Sequence, residues 1–86
     1  MPEISRFFGI IIRMYFDDHN PPHFHAIYGS AEIQVGIDPI MVLHGQLPRR
    51  AMSMVFEWAA LHQQELLMNW DYLNNNQAPE KIEPLD

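Results

Sequence analysis

The stretch Ala31-Glu32-Ile33-Gln34-Val35-Gly36-Ile37-Asp38 decides the fold, because apolar and polar residues alternate through it. This alternation is typical of a β-strand with one buried face, since successive side chains of a strand point to opposite sides. Ile33 and Val35 are therefore predicted to lie in a hydrophobic core. After this strand, Asp38-Pro39 is a turn signal, and residues 40–46 are predicted to form an edge strand.

Upstream of this stretch, the sequence predicts two more strands. Residues 4–16 have an apolar residue at every second position, which predicts one long strand. Gly9, within it, is predicted to mark a bulge or bend. Residues 23–28 form the next predicted strand, after Asn20-Pro21-Pro22, where the prolines restrict the chain to an extended path. The expected sheet is antiparallel and has three to four strands.

Downstream of the strands, residues 48–73 are predicted to form one long helix. Pro48 suits the first helical position, and Asn74-Asn75-Asn76 ends the pattern. The predicted fold class is α+β, with the sheet packed against this C-terminal helix. Residues 1–76 are expected to form a single domain and residues 77–86 a C-terminal tail. The residues expected to be buried are Phe8, Ile10, Ile12, Phe24, Ile33, Val35, Val55, Ala59, Leu66 and Trp70.

A second apolar stripe on the predicted helix suggests an interface. At 100° per residue it lies to one side of the stripe that faces the sheet. Its members are Met54, Trp58, Leu61, Met68 and Tyr72. Ile82 and Leu85 of the tail are too small to cover it. We therefore expect a homodimer, or a complex with a small partner protein, joined partly through this stripe.

Composition excludes several classes of protein. The chain has 86 residues and no cysteine, so disulfides and thiolate metal sites are ruled out. Its net charge is −6, with five lysines and arginines in all, so a broad nucleic-acid-binding surface is not expected. No apolar run approaches the roughly 20 residues of a membrane span, and the first residues lack the basic start of a signal peptide. The expected location is the cytoplasm, with no membrane association.

The candidate site is the stretch Asp17–Ala26, which holds three of the five histidines. His23 and His25 are predicted to point to one exposed face of their strand, away from Phe24. Two imidazoles and a carboxylate can bind a divalent transition metal. The candidate metal ligands are Asp17, His19, His23 and His25. We expect Asp17 to face His23 and Tyr15 to face His25 across the first two strands, with a histidine in contact with Asp17, Asp18 or His19.

Two other interpretations of the same residues stay open. In one, His23 and His25 act as metal-free acid–base catalysts together with Arg49, as in a ribonuclease, with RNA as the substrate. Arg49 and Arg50 would then bind an anion at the start of the helix, where backbone N–H groups also attract phosphate. In the other, the histidines only hydrogen-bond a turn or a carboxylate, and the arginines pair with nearby aspartates.

Several motifs along the chain resemble a family of small bacterial proteins known as domain of unknown function 4160. These motifs are Phe7-Phe8-Gly9-Ile10, the run Pro21–Ala26, Leu47–Ala51, Glu57-Trp58-Ala59 and the ending Lys81–Leu85. The resemblance implies no activity and carries over no catalytic residue. It implies a component of a two-gene, toxin–antitoxin-like module that binds a small partner protein encoded beside it.

Overall fold

The computed structural model describes residues 2–86 as one antiparallel sheet followed by two helices. The sheet has five strands in sequence order, and both helices follow it. The strands are β1 Glu3–Phe7, β2 Ile10–Arg13, β3 His23–Tyr28, β4 Ala31–Ile37 and β5 Ile40–Gly45, and the helices are α1 Arg49–Leu61 and α2 Gln63–Asn74. The predicted α+β class is confirmed. The predicted three to four strands and single long helix are wrong.

The strand predicted over residues 4–16 is a hairpin of β1 and β2. Phe8 and Gly9 form the turn with φ angles of 50° and 79°, and a two-residue type I′ turn needs positive φ at both positions. Phe7 consequently pairs with Ile10. The apolar alternation runs straight through this turn, so it did not reveal the reversal of the chain. Phe8, predicted to be buried, is 58% exposed at the tip of the hairpin.

The core lies between the sheet and the helices, as the alternation in β4 predicted. Ile33 and Val35 are buried there. Every other residue predicted to be buried, apart from Phe8, is also buried. The core side of the sheet is therefore correctly identified by the sequence, and the opposite side of β3 carries His23 and His25.

The predicted long helix is interrupted at His62, whose φ of −121° and ψ of 24° lie outside the helical range. The residues of the stripe predicted as an interface do not form one continuous exposed surface. Trp58 is fully buried against the rings of Phe7 and Phe24. Met54 and Tyr72 are half-buried, whereas Leu61 and Met68 are exposed. The prediction for Trp58 is wrong because β1 and the C-terminal segment cover a second side of α1.

The C-terminal segment, residues 77–86, follows α2 without regular secondary structure and packs back on the domain. The backbone N–H of Ile82 donates to the carbonyl of Ile4 in β1 at 2.8 Å, and Ile82 is buried. The Asn69 side chain donates to the Glu80 carbonyl and accepts from the Glu80 N–H. These contacts fix the segment along β1 and α2. Within residues 2–86, neither helix has the length and apolarity to cross a membrane.

Candidate metal centre

Three polar side chains converge at the start of β3. His23 and His25 are two residues apart and so project from the same side of the strand, away from Phe24. The chain reaches them from β2 through a turn at Asp17, whose φ is 54°. This turn places the Asp18 Oδ2 atom 3.0 Å from His23 Nε2 and 3.3 Å from His25 Nε2. One ligand atom from each of Asp18, His23 and His25 lies within 4.8 Å of the other two.

The remaining polar atom of each of these side chains is held by a different neighbour. His23 Nδ1 lies 2.8 Å from the Pro21 carbonyl oxygen. A carbonyl only accepts hydrogen bonds, so this nitrogen carries a proton and donates it. His25 Nδ1 donates in the same way to Glu32 Oε2 at 2.9 Å. Asp18 Oδ1 accepts the backbone N–H of His19 at 2.9 Å. Both Nε2 atoms and Oδ2 are thereby directed at a common point.

The two histidines are buried, contrary to the exposed face that the sequence predicted. His23 and His25 are 6% and 8% exposed. Trp70 packs against the ring of His23 at 5.4 Å, and Tyr15 meets His25 edge-on at 4.5 Å between ring centroids. The loop after β2 and the helix α2 provide this cover. Substitution of either histidine will therefore cost packing energy as well as polar contacts.

Asp18 carries its negative charge at neutral pH. Burial raises the pKa of this carboxyl, but the His19 N–H, the hydrogen bond to His25 and the charges of both histidines lower it, and the net pKa is below the ordinary value. Ionised Asp18 therefore stabilises the fold above the ordinary aspartate pKa of about 3.9. That contribution is lost as the pH falls through the lowered value.

The comparisons with known proteins identify the family. The profile of the family described as domain of unknown function (DUF4160) matches residues 9–71, most of the chain. The chain belongs to this family. The match runs from Gly9, the second residue of the hairpin turn, through the three converging side chains to Asp71 in α2. No curated protein and no solved structure matches the chain.

In this DUF4160 protein, Asp18 holds the position that the sequence suggested for Asp17. Asp17 is exposed, and His19 contributes its backbone N–H while its side chain is exposed. The strand register also differs by two residues, since His25 pairs with Arg13 and not with Tyr15. A shift of two leaves each side chain on the same face of the sheet. The apolar pattern therefore predicted the face correctly but did not distinguish between the two registers.

Arg49 and Arg50 lie at the start of α1, where both are exposed. Arg50 lines a groove of about 470 Å³ together with Tyr28, the last residue of β3. His23 is the first residue of that strand, so this groove and the histidines lie at opposite ends of β3. Within residues 2–86, neither arginine forms one of the predicted ion pairs with Asp17, Asp18 or Asp38.

Glu32 is the site residue that sequence reasoning missed. It lies in β4 opposite Ile27, diagonal to His25 on the neighbouring strand. A signal for it was present in the sequence. Gly29-Ser30 forms a two-residue connection that pairs Tyr28 with Ala31, and this pairing fixes the register of the rest of the hairpin. Counting back from the turn would have placed Glu32 beside His25.

Proposed function

We propose that this protein binds one divalent transition-metal ion through Asp18, His23 and His25. The observation that supports this most strongly is the convergence of Oδ2 and two Nε2 atoms whose partner atoms are already occupied. Metal bonds of about 2.0–2.1 Å place adjacent ligand atoms about 2.9–3.4 Å apart at octahedral or tetrahedral angles. The 3.0 and 3.3 Å separations from the Asp18 oxygen fall in this range.

Hydrogen bonding alone explains this geometry only if each ring carries a second proton. With protons on both Nδ1 atoms, the Nε2 atom of each neutral ring presents a lone pair to the Asp18 carboxylate. To donate hydrogen bonds instead, both rings would have to be positively charged. Two positively charged rings would be offset by Asp18 and, beside His25, by Glu32. Neutral rings instead present lone pairs, which a cation can bind together with the Asp18 carboxylate. A single metal ion satisfies all three atoms at once.

The contacts behind the three ligands also match a metal site. Metal-binding histidines commonly donate their second ring N–H to a backbone carbonyl or a carboxylate, which fixes the tautomer and the ring orientation. Pro21 and Glu32 fill these two roles here.

The ligand set favours a site at which chemistry occurs. Two imidazoles and one carboxylate without thiolates suit zinc, iron(II) or manganese. Three protein ligands leave positions for water or substrate, as in catalytic zinc sites. A metal bound there would polarise a substrate oxygen or activate water. The function that this site supports best is therefore that of a small metal-dependent enzyme.

The test is a metal titration of tag-free protein after treatment with a chelator. We expect about one zinc, iron(II) or manganese ion per chain by elemental analysis and calorimetry. Affinity should fall as the pH is lowered, because protons compete for the Nε2 atoms. If the chelator-treated protein binds none of these metals above background when they are added back, the proposal is contradicted.

Glu32→Gln should weaken metal affinity by about 10- to 100-fold, because Glu32 orients His25 and increases its basicity. The readout is competition with a chromophoric chelator. Glu65→Gln is a matched control, since Glu65 contacts His62 Nδ1 in the same way on the helices. Equal affinities for the two variants would show that Glu32 has no role in positioning His25.

We also propose that the protein works with a small partner in a two-gene, toxin–antitoxin-like module. The resemblance of the sequence to this family implies such a module, and the exposed apolar residues Leu61 and Met68 suit a partner surface. Coexpression with the product of the adjacent gene, followed by size-exclusion chromatography, should yield a complex. Separate elution of the two proteins would count against the module.

A further inference from the structure

The two edges of the sheet differ in how they are covered. The C-terminal segment lies along β1, where the Ile82 N–H bonds to the Ile4 carbonyl. At the other edge, β5 is the last strand in the sheet order and pairs with β4 only. Within residues 2–86, no strand or helix hydrogen-bonds to the outer side of β5. A row of backbone N–H and C=O groups is therefore available there for another extended strand.

The side chains of β5 make this edge unusual. Met41, Val42 and Leu43 are 49%, 38% and 37% exposed, three consecutive large apolar residues. Natural edge strands are commonly protected by lysine or other charged residues. From Pro39 to Pro48 this chain has no charged residue, although its net charge is −6. A register irregularity at Leu43 bends β5 next to Val42 and so limits the length of strand that can pair.

We propose that β5 pairs antiparallel with β5 of a second copy of this chain, which joins two sheets across a two-fold axis near Val42. The absence of charged residues on β5 suits a second copy of this acidic chain as the occupant. Two chains of charge −6 repel each other over most of their surface, but an uncharged strand meets its own copy without like-charge contact. A two-fold axis also brings the same apolar residues of each copy together.

The expected dimer is weak. A single pair of short strands forms a small interface, below about 1,200 Å² of total buried area, which is typical of transient complexes. We therefore expect dissociation at concentrations on the order of tens of micromolar. This dimer does not involve the metal site and does not depend on the proposed function.

Sedimentation velocity of the full chain, from about 5 to about 500 µM, tests the proposal. The wild type should change from monomer to dimer over this range. Val42→Glu should weaken dimerisation at least about tenfold, because it places like charges opposite each other at the axis. Met68→Glu is the matched control, since Met68 is also half exposed but lies on α2, and this variant should dimerise like the wild type. Circular dichroism confirms that both variants are folded.

A single introduced cysteine gives a direct readout, because the chain has none of its own. Val42→Cys should form a disulfide-linked dimer under mild oxidation, since paired antiparallel residues have Cα separations of about 4.5–5.5 Å, within the range of a disulfide. Met68→Cys should remain monomeric. The proposal is overturned if the wild type is a monomer at about 500 µM, or if Met68→Glu and not Val42→Glu abolishes the dimer. If the wild type is a monomer, the outer edge of β5 is available for a strand of another protein instead.

Discussion

Trp58→Ala is expected to reduce the free energy of unfolding by about 3–5 kcal/mol, the usual cost of removing a large buried aromatic side chain. Trp58 is fully buried between the sheet and the C-terminal segment. Its ring contacts those of Phe7 and Phe24 at 5.5 and 5.7 Å, and its Nε1–H donates to the Glu83 carbonyl at 2.9 Å. The substitution therefore removes contacts with β1, β3 and the C-terminal segment together.

This loss is large for a small domain, whose total stability is typically about 5–15 kcal/mol. Urea denaturation followed by circular dichroism measures it. Leu61→Ala is the control, because Leu61 is 66% exposed, and its truncation should change stability by no more than about 0.5 kcal/mol. If Trp58→Ala and the wild type unfold at the same urea concentration, Trp58 does not connect these elements.

Trp58 also illustrates why the helical part of the fold was only partly predictable. A 100° pattern assumes one straight helix with a single partner surface. Two helices meeting at His62, with a C-terminal segment packed beside them, give α1 two buried sides. A single residue outside helical geometry, His62, is not visible in apolar spacing. The sequence therefore assigned Trp58 and Met68 to one stripe, although one is buried and the other exposed.

The sheet was predictable where polar and apolar residues alternate and less so where both faces are apolar. In β4, the alternation identified the strand and its buried face correctly. At Phe8-Gly9 the turn has apolar residues on both sides and lacks the Asn-Gly or Asp-Gly pair that usually marks such turns. This error merged β1 and β2 into one predicted strand.

The candidate site was predictable to within one residue of its carboxylate. The His-x-His spacing on β3 determined that both rings share a face, and the turn before it supplied the acid. To choose between Asp17 and Asp18, one must know that β2 ends at Arg13 and that the backbone of Asp17 is left-handed. Neither follows from apolar periodicity. The burial of the rings depends on Tyr15 and Trp70, which come from two different parts of the chain.

Asp18→Asn is expected to weaken metal binding by at least about 100-fold, more than the loss of a supporting contact, because it removes a charged ligand from the proposed centre. The asparagine side chain keeps the size of aspartate, and its carbonyl oxygen still accepts the His19 N–H. The change is therefore mainly in charge and in the atom offered to the metal. Affinity is measured by chelator competition on tag-free protein.

The neighbouring residues provide controls that test the geometry itself. Asp17→Asn and His19→Ala alter an adjacent carboxylate and an adjacent imidazole that are exposed outside the cluster, and both variants should bind metal like the wild type. A stability readout gives an independent check, because ligand at 100 times its dissociation constant stabilises the folded state by about 2.7 kcal/mol. The wild type and both controls should gain this stability at that metal concentration, and Asp18→Asn should not.

If Asp18→Asn binds metal as tightly as the wild type, Asp18 is only a hydrogen-bond partner of His23 and His25. If Asp17→Asn loses as much affinity as Asp18→Asn, the metal is bound by a different arrangement of this turn.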